Sequence, residues 1–246
     1  MQTTLLALVA VSFLLAGFVK GVIGLGLPTV SMGILALSMP TAEAAAVLVA
    51  PSIITNFWQM LNGKPLLMAL RRHWRLLAGI CIGTWSGAGL MTSTPTRASS
   101  AALGAAILVY GLLGVFSVRF AVGARMERWL AFPIGAVTGF LGAATGVFVI
   151  PAVPFLGALG LPKDDLIQAL AISFTVSTLA LIGNLLAVRI YTADLAFASA
   201  LAVLPALIGM AVGQVARTRL SEQAFRRVFF VSMVALGGYI IFRALA

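Results

Sequence analysis

Apolar segments of roughly twenty residues, centred near positions 12, 53, 84, 108, 177, 205 and 235, follow one another along this chain with only short connections between them. Runs of that length suit a hydrocarbon layer about 30 Å thick. In lipid every backbone N–H and C=O must be satisfied within the protein, which makes the helix the spanning form for such runs. The expected fold is all-α, a polytopic helical membrane protein with the lipid bilayer as its surroundings. Composition agrees, since 61% of the 246 residues are hydrophobic and only 9% charged, whereas a soluble domain is nearer one half apolar. No stretch is left over for a soluble domain. The N-terminal run MQTTLLALVAVSFLLAG lacks a basic leader and continues into glycines, so it reads as a retained helix.

The formal net charge of +10 would suggest nucleic acid if it lay on a soluble face, but nearly every Lys and Arg falls between apolar segments. That is the pattern of loops kept on the cytoplasmic side, and no nucleic-acid partner is expected. The single cysteine, Cys81, lies within an apolar run, which excludes an intrachain disulfide and a thiol metal cluster. The single histidine, His73, stands among arginines, where a loop position on the surface is expected.

The sequence repeats itself. GFVKGVIG from Gly17 matches GAVTGFLG from Gly135, pairing Gly17, Val19, Gly21 and Gly24 with Gly135, Val137, Gly139 and Gly142. Four residues further out of step, Pro40 pairs with Pro162, Glu43 with Asp165 and Asn62 with Asn184; after another four, Gly83 and Gly87 pair with Gly209 and Gly213. Three blocks in one order divide the chain into a first repeat over 1–118, a connector over 119–128 and a second repeat over 129–246.

Glycines and a proline interrupt the leading segment of each repeat, so each reads either as one kinked helix or as two half-helices forming a re-entrant hairpin. Charge favours the hairpins. With both leading segments entering and leaving on one side, Lys64, Arg71, Arg72, Arg75, Arg119, Arg125, Arg128, Lys163, Arg217, Arg219, Arg226 and Arg227 share a side against Arg97, Arg189 and Arg243. A single crossing by each leading segment gives nine against six, a much weaker inside bias. A hairpin plus three crossings is an odd unit, so the second repeat would be inserted upside down relative to the first. Inverted repeats with broken helices are a transporter architecture, with the site at the midplane where the repeats meet.

The second half-helix is expected to begin at Pro28 in the first repeat and near Thr145 or Gly146 in the other, because proline suits a first turn and glycine adopts positive φ. Their N-termini would offer free N–H groups and a positive dipole end to an anion. The expected substrate-binding residues are therefore Lys20, Gly21, Gly24, Gly26, Pro28 and Thr29 with Thr138, Gly139, Gly142, Thr145 and Gly146. Polar residues on the following segments join them. Ser52, Thr55, Asn56 and Gln59 share one helical face, of which Asn56 and Gln59 are taken as binding residues. In the other repeat Ser173, Ser177 and Asn184 fall near one face with Thr175 and Thr178 beside it, and Ser173 and Thr175 complete the set. Interhelical hydrogen bonding and close packing are the competing readings of the hydroxyls and of Gly83 to Gly87. All six acids, Glu43, Glu127, Asp164, Asp165, Asp194 and Glu222, lie at segment ends or in connections, so no mid-membrane acid serves as a proton relay. No cofactor, metal or catalytic residue is expected.

GFVKGVIGLGLPTVSMGIL and GAVTGFLGAATGVFVIPAV resemble the duplicated glycine-rich signature of the sulfite exporter TauE/SafE family of bacterial inner-membrane proteins, over essentially the whole chain. The resemblance implies movement of sulfite, sulfonates such as sulfoacetate, or related small organic anions, usually outward. The chain departs from the family pattern at Ala144, Thr145, Gly146 and Pro151, at Leu27 and Pro28, and at Lys20, which stands where Thr138 stands in the other repeat. The expected function is an inner-membrane permease driven by the membrane potential; an importer of the same anions and a non-transporting scaffold are the alternatives. A homo-oligomer is possible.

Overall fold

The structure, a computed structural model, describes residues 2–61, 65–116 and 121–246, with side chains from Leu6 onward except that of Glu222. Asn62, Lys64 and Arg119, used above in the repeat, the connector and the charge count, lie outside the described residues. Helices follow one another as α1 (Gln2–Ile23), α2 (Leu27–Leu35), α3 (Thr41–Met60), α4 (Leu66–Ser86), α5 (Leu90–Ser93), α6 (Thr96–Val115), α7 (Ala124–Thr145), α8 (Ala152–Ala158), α9 (Lys163–Ala187), α10 (Ala193–Arg217) and α11 (Glu222–Leu245). Among the described residues there is no strand. Among the described residues six helical segments, Leu6–Ile23, Leu66–Ser93, Thr96–Val115, Lys163–Ala187, Ala193–Arg217 and Gln223–Leu245, are long and apolar enough to cross a membrane. The segment centred near residue 53 is the 20-residue α3 and is not one of the six. Its Glu43, Asn56 and Gln59 lower the mean hydropathy of a helix that is buried among protein along most of its length.

Small residues set the helix pairs. Gly17 and Gly21 of α1 lie so close to α10 that a Cβ at either would overlap the carbonyl of Ala206 or Met210, and Gly209 and Gly213 meet Leu14 and Phe18 in return. Gly135 and Gly139 of α7 lie equally close to the carbonyls of Leu76 and Ile80 on α4, while Gly79 and Gly83 meet Phe132 and Ala136. In both pairs the contacts advance together, so the helices run parallel. Between α6 and α11 they advance in opposite senses, Gly104 facing Gly237 and Ile241 while Gly111 faces Phe230 and Val234. Without water to drive association, such close approach supplies the dispersion contact that holds helices together in lipid.

These contacts correct the third sequence block. Gly79 and Gly83 answer Gly209 and Gly213, so the pairing of Gly83 and Gly87 with Gly209 and Gly213 is one turn out of step; Gly87 instead ends α4 against Ala143. Gly142 is also not the counterpart of Gly24 in conformation. It lies inside α7, and the left-handed glycine that ends that helix is Gly146, with φ 74°, as Gly24, with φ 81°, follows the end of α1. The four-residue insertion is thus about one extra turn of helix.

Each leading segment is a long helix followed by a short one, not a pair of half-helices. α1 runs unbroken through Gly17, Lys20 and Gly21, its 22 residues covering about 33 Å at 1.5 Å per residue. The break comes after the lysine, at Gly24 and Gly26, both at positive φ. From there α2 folds back, bringing Gly26 against Val19. It starts at Leu27 with Pro28 in its first turn, as expected. In the other segment the expected start at Thr145 or Gly146 is the end of α7, and the short helix α8 begins at Ala152, behind a cis Ile150–Pro151 bond. Pro151 and Pro154 explain the delay, since neither can donate an N–H to a helix started earlier.

One end of the bundle is basic. Arg72 pairs with Glu127, Arg75 donates to the Arg128 carbonyl, Gln168 to the Met60 carbonyl and Val122 N–H to the Ala158 carbonyl, while Phe18 meets Phe225 edge-on. These contacts gather Arg71, Arg72, Arg75, Arg125, Arg128, Lys163, Arg217, Arg219, Arg226 and Arg227 there. At the opposite end lie Arg97, Arg189 and Arg243, the last donating to the Leu37 carbonyl. His73 is a correction: it lies on α4, not in a loop, and is only 6% exposed. Helical phase turns it inward while its arginine neighbours face out.

Candidate functional site

Lys20 lies in the last turn of α1, 2% exposed, with no ion-pair partner among the described residues. The break lies beyond it, at Gly24 and Gly26. Its ammonium donates to Thr55 Oγ1 at 2.9 Å and to Asn56 Oδ1, both on α3. Thr55 accepts that proton because its own hydroxyl donates to the Pro51 carbonyl at 2.6 Å. The two acceptors sit just past Pro51, which cannot donate within α3, and the neighbouring Ala50 N–H is taken by Ser199 Oγ of α10 at 2.9 Å. Gln59, one turn beyond Thr55, donates its amide to the Gly24 carbonyl at 3.0 Å. The face Ser52, Thr55, Asn56 and Gln59 therefore closes on the lysine and the break together.

A protonated lysine in this place is expensive. Lys20 lies about one turn from the basic end of the bundle rather than at the bilayer centre, but burial still strips its ammonium of water, and that must be offset by partners. Thr55 and Asn56 bring only dipoles. Among the described residues two N–H bonds of the ammonium have acceptors and a third does not, and Asn56 Nδ2, in a residue 1% exposed, has no partner. Both groups are donors, so what they can jointly hold is an acceptor, and the lysine adds the preference that it be negative. Thr29, in the first turn of α2, has a fully buried hydroxyl with no partner among the described residues.

The other sequence-predicted residues are placed differently. Gly21 backs onto α10 and Gly139 onto α4, so both serve the helix pairs described above. Gly142 faces the ring of Phe148. Thr138, the counterpart of Lys20, is buried and accepts the Ala152 N–H at 3.1 Å, holding the start of α8, while donating to the Ile134 carbonyl. Thr145 donates to Leu141 and accepts from Val147 N–H, fixing the end of α7. Gly146 lies against Met32 of α2 and Ala45 of α3, so the second break reaches the first repeat, though not the lysine. Ser173 and Thr175 donate to carbonyls of their own helix, Ala169 and Ala171, with Thr175 also 3.6 Å from Met60 Sδ. Ser12, Ser99, Tyr110 and Ser199 were not anticipated. Ser12, Tyr110 and Ser199 stand singly in apolar runs and Ser99 follows the polar stretch at Thr94 to Arg97, so nothing in the sequence separates them from ordinary helix residues.

The family described as Sulfite exporter TauE/SafE matches residues 9–240. Neither a curated protein nor a solved structure matches the chain. The match covers both breaks, Lys20, the polar face of α3 and all six of the long apolar segments save the ends of two, in a multi-pass helical membrane protein. The chain belongs to the TauE/SafE sulfite exporter family.

Proposed function

We propose that this protein is a permease of the bacterial inner membrane that exports a small anion, of the sulfite, sulfonate or related organic class, and that it performs no catalysis. The observation that carries the reading is Lys20: a buried ammonium held by two neutral acceptors, beside an amide donor with no partner, in a chain of the sulfite exporter family. A sulfonate or sulfite oxygen set would accept from Lys20 and Asn56 together, and its charge would offset the lysine's. Gly24, Gly26, Pro28 and Gln59 shape the backbone around that place.

The architecture we propose is two inverted repeats, 1–118 and 129–246, joined by 119–128. The reciprocal pairing of α1 with α10 and α7 with α4, each parallel, and of α6 with α11, antiparallel, is what such a pair of units would produce. The basic end then faces the cytoplasm and both termini the periplasm. Alkaline phosphatase fused after Ala246 is active in that orientation and a fluorescent protein there is dark; the reverse would remove the inverted arrangement.

Export of an anion from a negative interior is favoured by about 2.3 kcal/mol per elementary charge per 100 mV, enough to drive the cycle without a proton. Purified protein in proteoliposomes, loaded with sulfite or sulfoacetate, releases it when a potassium diffusion potential makes the interior negative. Flux that ignores voltage and follows an imposed pH gradient rejects the energy source. No flux of either anion under any gradient favours the scaffold reading. An importer would use the same site, since direction follows the gradients.

A further inference from the structure

Six buried side-chain polar atoms have no hydrogen-bond partner among the described residues: Ser12 Oγ, Thr29 Oγ1, Ser52 Oγ, Asn56 Nδ2, Ser99 Oγ and Tyr110 OH. None of their residues is more than 3% exposed. A buried polar group left unsatisfied has lost its water without replacement, so native proteins keep such groups few and usually hydrate them. Their placement is one-sided. All six belong to α1, α2, α3 and α6, in the first repeat.

Other buried hydroxyls are satisfied along their own helices, as Ser31, Thr55 and Thr84 are in the first repeat, and the described ones of the second repeat have partners throughout. Ser173, Ser177 and Thr178 on α9 each donate to the carbonyl four residues back, as hydroxyls in apolar helices ordinarily do. Thr138 and Thr145 do the same on α7. Ser12, Ser52 and Ser99 could have taken that bond and do not, so their hydroxyls are turned elsewhere.

Depth orders them. α1, α3 and α6 all run toward the basic end, where Lys20, Asn56 and Tyr110 lie within about a turn and a half of their helix ends. Toward the opposite end, Ser52 follows Asn56 by about 6 Å on the same face of α3, and Ser12 follows Lys20 by about 12 Å on α1, about 80° further round that helix, at 1.5 Å per residue. Ser99 lies in the first turn of α6, at the opposite end itself. Resting on the anion-permease reading, we infer that the substrate route runs inside the first repeat, from Lys20 past Ser52 and Ser12 to Ser99, with these serines as hydrated stations, and that α7 to α9 form a dry wall. The chemistry such a route suits is a small oxyanion that exchanges water for hydroxyl donors one at a time.

The test is thiol accessibility. In a Cys81→Ser background, Ser12→Cys, Ser52→Cys and Ser99→Cys are compared with Ser173→Cys and Ser177→Cys for reaction with sulfonatoethyl methanethiosulfonate, a thiol reagent that is itself a sulfonate. The total thiol after denaturation and a single symmetric gel-filtration peak control for folding. The first three are expected to react at least tenfold faster than the last two, and added sulfoacetate to slow them. Equal rates in the two sets, or faster reaction of the α9 cysteines, overturn the route. Failure of the underlying reading looks different: normal export by Lys20→Met with the labelling contrast intact rejects the anion site and leaves a water-accessible first repeat. As a second measurement, Ser12→Ala with Ser52→Ala is expected to slow export severalfold, and unchanged export overturns their role as stations.

Discussion

Lys20 and Thr138 occupy matching positions in the two repeats, three residues after Gly17 and Gly135, yet they do unlike work. Thr138 turns inward on its own segment, accepting the Ala152 N–H and donating to Ile134. Lys20 reaches across to another helix, ending on Thr55 and Asn56 of α3. Their helices are anchored alike, through glycines pressed on α10 and α4. On the two-repeat architecture proposed above, the glycine packing is kept in both units while only one of them carries charge at this position.

If the glycine contacts are the common frame, replacing either set should be ruinous and equally so. Gly21→Leu and Gly139→Leu each force a side chain onto a main-chain carbonyl, and each is expected to lose about 3 kcal/mol or more, seen as little folded protein in the membrane. Tolerance of one and not the other would show that the two pairs are not equivalent.

Below that in size lies the polar face of α3, which has no charged counterpart in the second repeat. Asn56→Leu removes one of the two acceptors of Lys20 and is expected to lower export roughly tenfold, the loss of one hydrogen bond to a charged group at about 1.5 kcal/mol or more. Ser177→Ala, on the matching face of α9, should leave the rate unchanged. Export measured in proteoliposomes at fixed voltage separates them, and equal loss in both would put the two faces on the same footing.

Much of this comparison was legible before any coordinates. The length of the apolar runs, the basic end and the polar face of α3 follow from spacing alone, because each is a repeated signal over many residues. The lysine was visible as an anomaly, but its partners were not, since nothing in the sequence joins residue 20 to residues 55 and 56. Glycines misled in a specific way: Gly21, Gly139 and Gly142 read as breaks because sequence does not distinguish a glycine that bends the chain from one that admits a neighbouring backbone. The breaks lie at Gly24, Gly26 and Gly146, the ones at positive φ. The delayed start of α8 depends on where Pro151 and Pro154 permit a first turn, which a glycine count does not reveal. His73 was misplaced for a similar reason, as α4 begins before its arginines and helical phase buries the one histidine between them.

In the proposed permease Lys20 holds the anion and Thr138 holds only its own chain, so the most direct measurement sets Lys20→Met beside Thr138→Val in voltage-driven sulfite or sulfoacetate efflux from proteoliposomes, at matched amounts of folded protein. The expected result is that Lys20→Met folds, loses export by two orders of magnitude or more as an unpaired anion at the site costs about 3 kcal/mol or more, and that Lys20→Arg keeps part of it. Thr138→Val should lose about 1 kcal/mol of stability, as an unmade cap does, and export within twofold of the original. Wild-type efflux through Lys20→Met, or a loss through Thr138→Val as deep as that of the lysine variant, would contradict it.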